Sequence, residues 1–170
     1  MLEAALLYAS LGWKIFPVHY PIEGACSCGD KKCASPAKHP IASVVPNGCK
    51  NAQSHPAVIR VWWAKFPLAN IGLTTGRSNN LYVLDIDVGK GGDDSLIELE
   101  KKHGPLVQTD YPGRVLTGSG GYHYYYKYPK EFDCNNKTGI VPGIDIRAEG
   151  GYVVAPPSKH ICGGNYAWEI

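Results

Sequence analysis

The chain has 170 residues, 44% of them hydrophobic and 11% aromatic, and 17 Lys and Arg against 15 Asp and Glu leave a formal charge of +2. A chain of this length buries about two-thirds of its unfolded surface, which excludes disorder and predicts one globular domain over residues 1–170. No apolar run reaches the roughly 18 residues of a membrane span, and Glu3 stands where a secretion signal would be positive, so a cytoplasmic protein with no membrane partner is expected. Charge is unevenly spread, +5 over residues 1–80 and −3 over 81–170, which disfavours a broad basic surface for duplex DNA.

In chain order, the apolar spacing predicts a helix over residues 2–11, capped by Gly12, and a short strand over 14–18. Residues 21–51 turn to Cys, Gly, Pro, Lys and Ser with little periodicity, and a loop that long needs something other than a core to order it. Ser54 is expected to cap a helix over 56–66, with Val58, Trp62 and Phe66 on its inner face and Pro67 ending it. Strands follow over 70–74 and 81–87; the consecutive apolar run from Leu81 to Leu84 marks a central strand. Asp93, Asp94 and Ser95 open a helix that ends before Gly104. Strands over 114–117 and 122–128 flank a glycine turn, and three more are expected over 144–147, 152–155 and 166–170. Early helices and late strands give an α+β fold rather than a doubly wound one.

On a strand alternate side chains share a face, so Asp85 and Asp87 project together, about 7 Å apart, and can clamp divalent ions. Strand-end acids that merely meet solvent are the competing reading. Asp145 is a third acid on a strand, with Arg147 on the same face as a structural partner. Three strand-borne carboxylates suit two-metal phosphoryl transfer. In the run from Thr117 to His123, glycines let backbone amides approach phosphate, while Ser119 and His123 can donate to it. The tyrosines from Tyr122 to Tyr126 either stack bases or pack into the sheet. Cys26, Cys28, Cys33 and His39 offer three thiolates and an imidazole within fourteen residues, enough for a closed, structural tetrahedral zinc that orders the loop. Lys31, Lys32 and Lys38 would then form a basic surface for DNA phosphates.

Taken in order, Gly12 to Val18, Lys38-His39-Pro40, Trp62 to Pro67, Asn70 to Gly76, Leu84 to Asp87, Gly118 to His123, Gly143 to Arg147 and Gly150 to Ser158 resemble the N-terminal catalytic domain of bifunctional DNA primase-polymerases. These are proteins of plasmids, phages and mobile elements, within the archaeo-eukaryotic primase superfamily. The resemblance implies an RRM-like antiparallel catalytic sheet packed with an N-terminal α/β unit and a zinc-binding loop insertion. It implies template-directed primase and polymerase activity on a single-stranded DNA template and primer, with dNTP or rNTP as substrates. It assigns Asp85, Asp87 and Asp145 to Mg²⁺ or Mn²⁺, and His123, assisted by Ser119, to the incoming triphosphate, with Arg77 and Arg147 as further basic candidates. The family carries a C-terminal primase or helicase region, which lies outside this chain, so Ile170 is expected to mark a fragment boundary. Two rivals fit less well. A rolling-circle endonuclease wants a His-x-His pair, whereas Tyr124 and Tyr125 follow His123; a noncatalytic zinc-stabilised single-strand binder has no need of the three acids.

Overall fold

The computed structural model describes residues 1–107 and 113–169. Among them are three α-helices and strands that pair in antiparallel fashion throughout, as the α+β expectation requires. The first helix, α1 (Leu2–Ser10), leads into β1 (Ile15–Val18) and a small hairpin of β2 (Pro21–Ile22) and β3 (Ala25–Cys26). A single 3₁₀ turn (Gly48–Asn51) precedes α2 (Pro56–Lys65), β4 (Asn70–Thr74), β5 (Leu81–Ile86) and α3 (Gly92–His103). The remaining strands are β6 (Gly113–Leu116), β7 (Tyr122–Lys127), β8 (Lys137–Val141), β9 (Ile144–Arg147), β10 (Tyr152–Ala155) and β11 (Ala167–Glu169). None of the described helices is long and apolar enough to cross a membrane.

Two sheets carry the architecture. A three-stranded sheet runs in the order β1-β4-β10, and a six-stranded one in the order β11-β6-β7-β5-β9-β8, with β5 between β7 and β9. Alternation along β5 sends Leu81 and Val83 into the main core, with Ile71, Leu73 and Val153 of the smaller sheet, while Ile86 faces a second cluster with Ile144, Leu96 and Leu99 under α3. Asp85 belongs to the first face, so it stands at the end of the apolar row where the core gives way to a cleft.

Several local expectations are corrected. His55, not Ser54, caps α2: its Nδ1 accepts from the Ala57 amide at 3.3 Å. The buried face of that helix is Ile59, Trp62 and Trp63, whereas Val58 and Phe66 are only half-buried, because the contact is centred one residue further along the helix. Asp87 lies just beyond β5, the strand ending at Ile86. Within the 21–51 loop the β2–β3 hairpin pairs, and β8 is a strand that its mixed Lys-Thr-Gly-Ile-Val sequence conceals. The last strand ends at Glu169, and Ile170 lies outside the described residues.

The turn between β8 and β9 fixes the segment after β5. The Gly143 carbonyl accepts from the Asp87 amide at 2.8 Å, and the Asp87 carbonyl accepts from Gly92 at the start of α3 at 3.0 Å. Gly143 has φ +67°, and a Cβ there would overlap the Gly92 amide nitrogen and sit 2.7 Å from the Asp87 carbonyl oxygen. Gly143→Ala should therefore cost about 2 kcal/mol or more, read as a lowered urea midpoint with unchanged slope; a variant as stable as the parent would show that this packing is not tight.

Candidate active site

Register builds the site. Asp85 is directly opposite His123 on β7 and directly opposite Asp145 on β9, so the three side chains form one transverse row on the core-facing side of the sheet. Arg147, one row further along opposite Val83, reaches back across both acids. Its Nη2 lies 3.2 Å from Asp85 Oδ2 and 2.5 Å from Asp145 Oδ2, and its Nε 3.3 Å from Asp85 Oδ2. His123 Nε2 stands 3.4 Å from Asp85 Oδ1, and Lys90 Nζ 2.8 Å from Asp87 Oδ2.

Burial would raise the Asp85 carboxyl, but the His123 imidazole and the Arg147 guanidinium outweigh it and hold the group down at about 2. Asp85 is therefore an anion at neutral pH. His123 is almost fully buried, and its Nδ1 has no hydrogen-bond partner among the described residues.

The row opens into a cleft of about 440 Å³, lined by Asp85, Asp87, Asp145, His123, Ser119 and Arg147 together with Thr117, Lys90, Lys38 and Tyr166. The structure thus brings together every predicted cleft residue except Arg77. That side chain sits elsewhere, paired with Asp133 and lying 5.2 Å over the Tyr128 ring. The family resemblance alone offered Arg77 as a basic candidate, and the preceding Gly76 has φ +98°.

The glycine turn between β6 and β7 is held by its own Thr117. The Thr117 amide donates to the Gly121 carbonyl at 2.8 Å, and Thr117 Oγ1 accepts from the Gly121 amide at 2.9 Å and lies 3.3 Å from Ser119 Oγ. A Cβ at Gly121 would overlap the Ile86 carbonyl oxygen, so only glycine lets the turn pass against the end of β5. Thr117 and Lys90 are site residues that sequence reasoning passed over. The 87/90 spacing of an acid and a lysine was the available signal for the second.

The tyrosines divide by alternation. Tyr125 is buried in the main core, while Tyr122, Tyr124 and Tyr126 lie on the opposite face, Tyr126 stacked on Tyr82 at 5.1 Å between centroids.

A second cluster lies in the 21–51 loop. One donor atom each from Cys26, Cys28, Cys33 and His39 falls within 4.8 Å of every other. Ligand atoms of a tetrahedral zinc lie roughly 3.8 Å apart, so this set could hold the ion with little movement. Burial would raise the Cys26 thiol, but hydrogen bonds from the Ala37 amide and from Cys28 draw it down to about 7, towards the thiolate that a metal needs. The carboxylates of the cleft are hard oxygen donors of the kind that suit Mg²⁺ or Mn²⁺, and a cation, Arg147, already rests on two of them.

Compared with known families, the chain matches the N-terminal domain of bifunctional DNA primase/polymerases over residues 5–169. It belongs to that family. No curated protein matches the sequence. Membership gives the domain a DNA primase/polymerase role of the nucleotidyltransferase type, with DNA and nucleotides as substrates and divalent metal in the transfer.

The depressed Asp85 pKa has a consequence for stability. In an unfolded chain Asp ionises near 3.9, so the folded state gains about 2 kcal/mol above that pH and loses it as pH falls from about 4 towards 2. The stability gap between the wild type and Asp85→Asn, measured by urea unfolding, should be widest near pH 5 and shrink by most of that amount by about pH 2. A gap independent of pH would mean that Asp85 is not held ionised by its neighbours.

Proposed function

We propose that the cleft is a template-directed nucleotidyl-transfer site, in which a primer 3′-hydroxyl attacks the α-phosphorus of a dNTP or rNTP and pyrophosphate leaves. The observation that carries this reading is the transverse row in which Asp85 is flanked by Asp145 and by His123. Asp85, Asp145 and Asp87 are the residues that would hold Mg²⁺ or Mn²⁺, which when bound neutralises charge on the attacking hydroxyl and on the departing pyrophosphate.

The protein's own groups position the reactants. His123, fixed by Asp85 and by close packing, directs its imidazole at the phosphates, and the Ser119 hydroxyl lies on the adjoining turn to donate a second hydrogen bond. Arg147 compensates the charge of the Asp85 and Asp145 carboxylates, and it is within reach of a phosphate once they are otherwise neutralised. The six-stranded sheet serves as the RRM-like catalytic sheet, the strands and helices of the first half as its packed α/β unit, and the Cys26–His39 cluster as a structural zinc site. The setting is replication of a mobile element or phage, with the domain working ahead of a C-terminal helicase or primase region.

Asp85→Ala, Asp87→Ala and Asp145→Ala should each abolish extension of a primed template with Mn²⁺ or Mg²⁺, because phosphoryl transfer depends almost wholly on positioning and charge neutralisation. Near-normal extension by a folded Asp85→Ala protein would overturn the polymerase reading. His123→Ala should weaken nucleotide binding about tenfold or more, the size of a hydrogen bond to a charged group, and leave single-stranded DNA binding within about twofold. Titrations showing the reverse pattern would remove His123 from the triphosphate.

A further inference from the structure

Three cations line the cleft, Arg147, Lys90 and Lys38. Arg147 rests on Asp85 and Asp145, and Lys90 on Asp87; Lys38, half-buried in the cleft wall, meets no carboxylate among the described residues. Unlike the other two it comes from the cysteine loop, where it directly precedes His39. A cation with no ion-pair partner, held in the wall of such a cleft, is placed to meet an anion, and a strand-borne acid row cannot supply such a cation itself.

The main chain that carries Lys38 is gripped from several sides. The Ala37 amide donates to Cys26 Sγ at 3.3 Å, and the Ala37 carbonyl accepts at 3.0 Å from the side-chain amide of Asn70, which is buried. Tyr152 Oη on β10 donates to the Lys38 carbonyl at 3.1 Å, and the His39 carbonyl accepts from His19 at 2.8 Å. Ala37 itself is buried at φ +59°, a left-handed backbone that a residue with a Cβ keeps only when its surroundings impose it. The imposing contacts are the Cys26 sulfur on one side and Asn70 on the other. The place of Lys38 is therefore tied directly to the cysteine cluster, through the Ala37 amide and Cys26, as well as to β4 and β10. Lys31 and Lys32 lie in the same loop, but they are exposed and outside the cleft lining.

We infer that Lys38 binds the phosphates of the nucleoside triphosphate, and that the Cys26–Cys28–Cys33–His39 cluster acts on the cleft by holding Lys38 in place. This rests on the nucleotidyl-transfer reading above and assigns the cluster a positioning role towards nucleotide, separate from any grip on DNA.

The test is a titration of the full chain with a fluorescent dNTP in Ca²⁺ or Mn²⁺, alongside a single-stranded oligonucleotide, with zinc content and thermal melting recorded for each variant. Lys38→Ala should weaken nucleotide binding about tenfold and leave oligonucleotide binding within about twofold. Lys38→Arg should restore most of the loss, and the Lys31→Ala, Lys32→Ala double variant should bind nucleotide as the wild type does. Cys28→Ser should release zinc and weaken nucleotide to the same degree as Lys38→Ala, and adding Lys38→Ala to it should cost little more, since both remove one contact. Tyr152→Phe, which keeps the cluster intact, should show a smaller loss in the same direction if Cys28→Ser does not fold. Unchanged nucleotide affinity in Lys38→Ala, with wild-type binding intact, overturns this inference alone, as does a loss confined to the oligonucleotide. A wild-type protein that binds no nucleotide overturns both this inference and the functional reading beneath it.

Discussion

Two carboxylates directly opposite each other across a strand pair repel, and the Asp85–Asp145 pair on β5 and β9 is such a contact, set in a partly buried position. Register leaves no escape: sliding β9 by one residue would turn the fully buried Ile144 out of the cluster under α3 and expose it on the cleft face. The apolar residues of β9 therefore hold the acids together, and the electrostatic cost must be met by a cation. That cation is Arg147, two residues along the same strand and on the same face, so a single four-residue strand carries both an acid and its counter-ion.

This arrangement explains why the cleft sits where it does. On the core-facing side of β5, Leu81 and Val83 are covered by the smaller sheet, and the row ends at Asp85, where covering by apolar side chains would leave a charge without water or partner. The smaller sheet does not stop at the core, however. Its β10 contributes Tyr152, Val153 and Val154 to the cleft wall, and through Tyr152 it also touches the cysteine loop. Ile41 and Val45 anchor the far end of the 21–51 loop in the main core, while its cysteine-bearing part is tied to the rest of the molecule by hydrogen bonds and a potential metal, and these ties converge on the residues next to Lys38.

The parts of this design that were legible in the sequence are those where local pattern and tertiary role agree. The run from Leu81 to Asp87 announced a central strand with acids at its end because its two faces are both covered, and the glycine turn before His123 announced a hairpin because no side chain fits there. Pairing of Asp145 with Arg147 followed from strand alternation alone. What stayed hidden depends on residues far apart in the chain. The opposition of Asp85 with both His123 and Asp145 is a register, and β8, exposed over half its length, has no apolar alternation to mark it. The displacement of Arg77 was hidden for the same reason: its partner Asp133 lies 56 positions away.

Charge balance in the cleft gives the arrangement its last consequence. Among the described residues three acids, Asp85, Asp87 and Asp145, and three cations, Lys38, Lys90 and Arg147, line the cleft, so their fixed charges balance. A nucleoside triphosphate entering alone would meet carboxylates it repels, and a divalent ion entering alone would meet cations that repel it. On the nucleotidyl-transfer reading each ligand favours the other, because an ion that took up the acids would free Arg147 and Lys90 from them, and the phosphates would then take up the freed cations. By linkage the reverse holds to the same degree. On that reading the cleft would favour metal and nucleotide together over either component, and the ion pairs from Arg147 and Lys90 to the three acids are the physical basis of that preference.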